Sequence, residues 1–303
     1  MSRAFFLRSK FVVITVSLLA AALWMPFASA DVIAVDDEGH AIKLAQPAKR
    51  IVSLAPHATE LLFAIGAGDR IVGAVEFSDY PEAAKKIPRV GGYKSVDIER
   101  VRTLAPDLVV GWASGNADKQ IEKLRALGIP VYVDEPHVIP DVVVSMQKLS
   151  RLTGNEAQAN IAADRLHKRF SQLQTMYAER APVRLFYQVW EKPLMTVGGK
   201  QIVSDAMRVC GAVNVFANLS TLAPVVDVES VLAANPEMIA TSGHRGEKLL
   251  WLDAWKKWPH LQAVEKQNLV VLPPDLLNRL GPRIIDGTEK LCEEVDVVRK
   301  KRG

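Results

Sequence analysis

Cysteine is scarce: Cys210 and Cys292 are the only two in 303 residues, which argues against a metal site built from thiolates. The six histidines are scattered, and no two have the i, i+4 or H-x-H spacing that would organise a metal ion. His57 follows Ser53 closely, yet no nucleophile-elbow sequence surrounds that serine. No catalytic constellation results, so neither enzymatic activity nor a catalytic cofactor is expected. Long basic blocks are also missing. Of 38 basic residues, Arg3, Arg8 and Lys10 precede the apolar stretch Phe11 to Phe27, and Ala28-Ser29-Ala30 follows it as a small-residue cleavage site. That pattern predicts a secretory signal peptide over residues 1–30. Without it 35 basic residues face 34 acidic ones, a near-neutral balance that gives no reason to expect nucleic acid as a partner. In an exported chain the even cysteine pair predicts a Cys210–Cys292 disulfide, tying one helix to the last one.

What is present from Arg50 onward is an alternation of strand and helix. "RIVSL" reads as a strand, Thr59 to Ile65 as a short helix, "RIVGAV" as a strand, and Ile98 to Leu104 as a helix stopped by Pro106. "LVVGW" is the next strand, followed by a helix from Asn116, read as its N-cap, to Leu127, and then the strand "VYV". The second half repeats the rhythm with "RLFYQVW", a helix to Cys210, "EMIATSG", "NLVVL" and a final helix from Pro282. Such alternation implies mainly parallel sheets with helices on their faces.

The text between the halves is different. Asn155 to Tyr177 contains no proline or glycine, and Ala159, Ala162, Leu166, Phe170, Leu173 and Tyr177 recur at steps of three and four. One amphipathic helix of roughly 35 Å follows, long enough to act as a stiff strut. An internal repeat supports two equivalent lobes, because "VDIERVRTLAPDLVVGWASG" aligns with "VDVESVLAANPEMIATSG" and places Glu99 and Glu229 in matching positions. The expected architecture is therefore α/β, with two Rossmann-like lobes joined by a single long helix. A signal peptide at 1–30 precedes an N-terminal lobe at 31–140, a connecting segment at 141–180 with its long helix at about 155–179, and a C-terminal lobe at 181–303.

Large side chains gather in loops after strands. Phe77 and Tyr80 lie in "EFSDYP", Tyr93 in "VGGYKS" and Met195 in "PLMTVG", while Trp112 ends the strand "LVVGW". Flanking glycine, proline and serine leave little local core for them to join, and the carboxyl edge of an open α/β sheet is where ligands bind. Asp275 and Arg279 sit four apart after the strand "NLVVL", placed either to reach that edge or to pair with each other. Trp251, Trp255 and Trp258 are at helical spacing and read as packing.

With these pieces together, "SDYPEAAKKI", "GWASGNADKQIEKLRALGI", "DLLNRLGPRI" and the cysteine pair resemble the helical-backbone periplasmic binding proteins, in particular the cobalamin-binding components of ABC importers. The resemblance covers almost all of the chain after Arg50. It implies a monomeric carrier in the periplasm that captures a corrinoid and delivers it to membrane permease subunits. Residue by residue it implies ligand contacts at Phe77, Trp112 and the segment Asp275, Leu276, Leu277, Asn278 and Arg279, and docking on the permease by Glu99 and Glu229. Tyr93, Met195 and Ala223 stand where larger or different rings are familiar, with Tyr93 and Met195 kept as contacts. The opening "RIVSLAPHATELLFAIGAGDRIVG" is shared with haem and siderophore binders, in which a tyrosine in the context of Tyr93 serves as axial iron ligand, so a haem- or siderophore-binding function stands as the alternative.

Overall fold

The computed structural model describes residues 31–243, 250–273 and 275–302; the leader expected over residues 1–30 lies outside them. An antiparallel hairpin of β1 (Val32–Val35) and β2 (Ala41–Leu44) comes first. The chain then runs through β3 (Ile51–Ser53), α1 (Pro56–Ala64), β4 (Ile71–Ala74), the two-residue strands β5 (Gly91–Gly92) and β6 (Ser95–Val96), and α2 (Ile98–Thr103). After these come β7 (Leu108–Trp112), α3 (Asp118–Ala126) and β8 (Val131–Asp134). Four of the strands make a parallel sheet in the order β4-β3-β7-β8.

Two helices follow, α4 (Ile139–Thr153) and α5 (Glu156–Tyr177), and then β9 (Val183–Gln188), α6 (Ile202–Val209) and β10 (Ala212–Asn214). The chain finishes with α7 (Val228–Ala234), β11 (Met238–Ser242), α8 (Gln262–Glu265), β12 (Leu269–Leu272) and α9 (Ile284–Lys300). The second sheet, β10-β9-β11-β12, is also parallel. In both sheets the strand after the repeated Asp-x-Glu motif takes the third place. The repeat therefore extends to local chemistry: the carboxylates of Asp97 and Asp227 accept from the backbone N–H of Arg100 (3.0 Å) and Ser230 (2.7 Å), capping α2 and α7 alike.

Alternation along the strands explains how the core is divided. Ile51, Leu108, Val110, Leu185 and Tyr187 point to one continuous core, which also takes buried residues of α1, α4, α5, α6 and α9. Their neighbours Val52 and Val109 point to a second cluster on the far face of the first sheet, and Phe186 to a third beside Phe216 and Trp255. Because one core runs through both lobes, the connection between them is packed on its apolar side. On α5 the buried positions are Ala159, Ala163, Leu166, Phe170, Leu173 and Tyr177, with Ala162 half-buried beside them. Gly154, at φ 65°, ends α4 and lets α5 start in a new direction. Cys210 and Cys292 are bonded, fastening the end of α6 to α9 with Cα atoms 4.7 Å apart. Among the described residues no helix is long and apolar enough to cross a membrane.

Candidate functional site

The loops at the carboxyl ends of both sheets border one cleft with a volume of about 900 Å³. From the first lobe come Phe77, Tyr93, Trp112 and the polar residues Lys94, Glu135 and His137; from the second come Val189, Trp190, Val197, Leu222 and Ala223, together with Asp275, Asn278 and Arg279. The walls are thus aromatic and aliphatic with a few charged groups among them.

Trp112 ends β7, and its indole folds back over its own loop. A Cβ added to Gly115 would lie 1.8 Å from the indole carbon Cε3. The small residues after Trp112 are therefore the space its ring occupies. Tyr93 tilts against the indole at 40° with centroids 5.7 Å apart, and the buried His57 meets it edge-on at 5.3 Å. Asn116 does not cap α3, which begins after Ala117 without a side-chain cap. Instead its Oδ1 accepts from the Trp112 backbone N–H (2.7 Å), and its Nδ2 donates to the carbonyls of Leu54 (2.9 Å) and Tyr93 (2.7 Å). Glu135 holds the next part of the loop by accepting from both the N–H (2.6 Å) and the hydroxyl (3.0 Å) of Ser114. Phe77 stands at the rim, 66% exposed and at φ 63°, a backbone conformation that L residues seldom adopt.

On the other side the Asp275 to Arg279 segment divides. Asp275 (φ 66°), Asn278 and Arg279 face the cleft, and the Tyr187 hydroxyl donates to Asn278 Oδ1 at 2.9 Å. Leu277 is fully buried in the shared core, and Leu276 packs where Gly287 of α9 leaves no room for a Cβ. Met195 is half-buried, bridging Trp190 and Val225 in a short antiparallel contact, and does not line the cleft. Of the expected contacts, Met195, Leu276 and Leu277 are not among the residues that border the cleft.

Arg279 does form the local pair with Asp275 (3.1 Å), but it also reaches Asp79 (2.7 Å) and Glu60 (3.1 Å) of the first lobe. Arg283 meets the same Glu60 with two bonds of 2.9 and 2.6 Å and stacks 3.9 Å over the Tyr80 ring. Glu60 is almost fully buried, and the two guanidinium groups compensate its charge. Burial works to raise the Asp79 carboxyl, yet the hydrogen bond and positive charge of Arg279 outweigh it and hold Asp79 below its ordinary value.

Glu99 and Glu229 lie away from the cleft, exposed in the first turns of α2 and α7. Glu99 has an Arg102 guanidinium 3.6 Å away. Ser53 and Thr59 hydrogen-bond each other, Thr59 donating at 2.8 Å, while the His57 imidazole faces Asp134 Oδ2 at 3.4 Å. Trp255 is buried and donates to Gln188 at 2.9 Å, whereas Trp251 stands edge-on to the cleft residue Trp190 at 5.3 Å.

A family described as periplasmic binding protein matches residues 51–276. The chain belongs to that family. It is 36% identical to a vitamin B12-binding protein of Vibrio cholerae over 84% of this chain and 92% of the relative. The crystal structure of the periplasmic vitamin B12 binding protein BtuF of Vibrio cholerae superposes with a TM-score of 0.77 at 37% identity, covering 84% of this chain and 99% of that one. A periplasmic heme-binding protein, RhuT from Roseiflexus sp. RS-1, has a TM-score of 0.73 at 20% identity, covering 82% and 98%, and shares the fold. Two α/β lobes frame the cleft. Trp190, Glu135 and Asp79 border the cleft, and Asn116 and Glu60 support it, beyond the residues expected from the sequence.

Proposed function

We propose that the chain is a periplasmic carrier that captures cobalamin or a related corrinoid between its lobes and hands it to the permease subunits of an ABC importer. The observation that carries this reading is the wall formed by the tilted Tyr93 and Trp112 rings, with Phe77 at the rim and Trp190 opposite. A corrin is a broad macrocycle with apolar faces and an amide fringe, so it asks for aromatic faces and scattered polar groups together. The relatives named for vitamin B12 support the reading at 36% and 37% identity. The haem or siderophore alternative rests on Tyr93 and the shared opening segment, and the heme-binding relative at 20% identity speaks to the fold.

In this reading residues 1–30 direct export, residues 31–140 and 181–303 serve as lobes, and residues 141–180 connect them. Phe77, Tyr93, Trp112, Asp275, Asn278 and Arg279 supply ligand contacts, and Trp190 joins them. The carrier acts as a monomer without chemical turnover. Titration calorimetry with cyanocobalamin and with hemin tests the proposal. Heat with cyanocobalamin that is weakened in Trp112→Ala is expected. Hemin binding abolished by Tyr93→Phe, with no cyanocobalamin heat, would overturn it.

A further inference from the structure

Asparagine just before a helix ordinarily caps it, but Asn116 precedes α3 without doing so. Its side chain is used elsewhere. With only 7% of its surface exposed, it makes three hydrogen bonds to backbone groups of three separate segments: the end of β7 at Trp112, the chain beyond β3 at Leu54, and the connection between β5 and β6 at Tyr93. One acceptor and both amide protons are spent. Asn116 is not among the residues that face the cleft. Two of the groups it holds, however, belong to the residues whose rings form the first lobe's aromatic wall.

We propose that Asn116 is a positioning residue that sets the relative placement of the Tyr93 and Trp112 rings and thereby the cleft's affinity for its flat ligand. The inference rests on the corrinoid reading for its consequence, though not for its geometry. Other side chains fail for different reasons. Aspartate keeps the acceptor for the Trp112 N–H but presents an oxygen to two carbonyl oxygens. Leucine fills the space and satisfies none of the three groups. Glutamine carries the amide one methylene too far, in a site where a Cβ on neighbouring Gly111 would already lie 3.3 Å from Asn116 Oδ1. Serine retains a single short-reaching hydroxyl and should fall between asparagine and leucine. Because Tyr93 and Trp112 are adjacent parts of one backbone clip, their rings cannot be set independently of it.

The test uses the mature chain and two readouts. The first needs no ligand: the near-ultraviolet circular dichroism of Asn116→Asp, and of Asn116→Ser in case the aspartate variant does not fold, is compared with that of the parent. The difference spectrum is expected to shrink markedly when the same substitution is made in a Trp112→Phe, Tyr93→Leu background, since a structural role elsewhere would leave it in place. The second readout is cyanocobalamin affinity. Asn116→Asp should weaken it roughly tenfold, the scale of a lost hydrogen bond with an unsatisfied partner, and should add little to the loss already caused by Tyr93→Ala. A difference spectrum that persists unchanged without the two rings would overturn the proposal, as would a folded variant that binds like the parent. If the parent itself binds no cyanocobalamin, the corrinoid reading fails, and the circular dichroism still decides whether Asn116 positions the rings.

Discussion

Arg279 Nη1 lies 3.1 Å from Glu60 Oε1, a contact between residues 219 positions apart that joins the segment before α9 to α1. Both side chains are nearly buried, and Arg283 and Asp79 complete the cluster. Alongside the shared apolar core, this network fixes how the two sides of the cleft meet. Arg279→Met should destabilise the protein by about 3 kcal/mol, because truncating one member of a buried pair leaves a charge poorly compensated. Urea unfolding measures it. In a double-mutant cycle with Glu60→Gln the two losses should fall short of additivity by about 0.5–3 kcal/mol. Strict additivity would mean that the contact carries no coupling.

Acid should act on this cluster and on a second pair, Glu237 with Arg302. The folded state holds Asp79 below its ordinary 3.8 against the opposing effect of burial, and Glu237 below its ordinary 4.5, where the Arg302 pair likewise outweighs burial. A carboxylate lowered in the folded state contributes stability that is complete above its unfolded value and lost as pH falls through the folded one. Melting temperature should therefore hold between pH 7 and about 5 and decline below about 4. Asp79→Asn should lower it at neutral pH and flatten the acid limb. Parallel acid limbs for the two proteins would remove Asp79 from the account.

The disulfide closes a loop between residues 82 apart in sequence. Treated as a restraint on the unfolded chain, it is worth about 4.5 kcal/mol, which for a chain of this size corresponds to roughly 10 °C in melting temperature. Reduced protein, or Cys210→Ala with Cys292→Ala, should melt lower by about that amount. Since the bond lies between α6 and α9 and neither cysteine faces the cleft, ligand affinity below the melting range should change little. An unchanged melting temperature would show that packing alone sets the position of α9.

Periodicity was enough for the elements and for part of the site. The run Leu108 to Trp112 reads as a buried strand, and its exit carries a tryptophan to the carboxyl edge of the sheet, where Trp112 borders the cleft. Trp190 obeys the same strand-end rule after β9 and was legible by it. Glu60 also left a trace, as a lone acid in the apolar "ATELLFAIG", but its arginines lie far away in sequence. Asn116 was misread for a physical reason: a polar residue before a helix looks the same whether it caps or clips, and only the approach of the Leu54 and Tyr93 carbonyls separates the two. Read as a block, Asp275 to Arg279 conceals that Leu277 turns into the core and Leu276 packs against α9 while Asp275, Asn278 and Arg279 border the cleft. α4 does not stand out as a separate helix in the sequence because Gly154 breaks the apolar period between it and α5.

Glu99 and Glu229 give the last expectation, and it separates delivery from storage. Each follows an aspartate that caps its helix, each is exposed, and each precedes the third strand of its sheet, so the repeat sets one carboxylate on each lobe at matching places in the fold. If the shared apolar core between the lobes holds their spacing, the two carboxylates suit a partner with two-fold related basic sites. As exposed residues they should contribute little to folding, since a surface pair such as Glu99 with Arg102 is worth about 0–1 kcal/mol. At an interface that excludes water, loss of one charge would cost about 2–5 kcal/mol. Glu99→Ala with Glu229→Ala should therefore leave melting temperature and cyanocobalamin affinity near those of the parent while lowering binding to reconstituted importer and uptake into cells. Each single variant should lie between. Normal uptake by the double variant would make both glutamates solvated helix residues, and a loss of ligand binding would put them in the cleft, against the geometry described above.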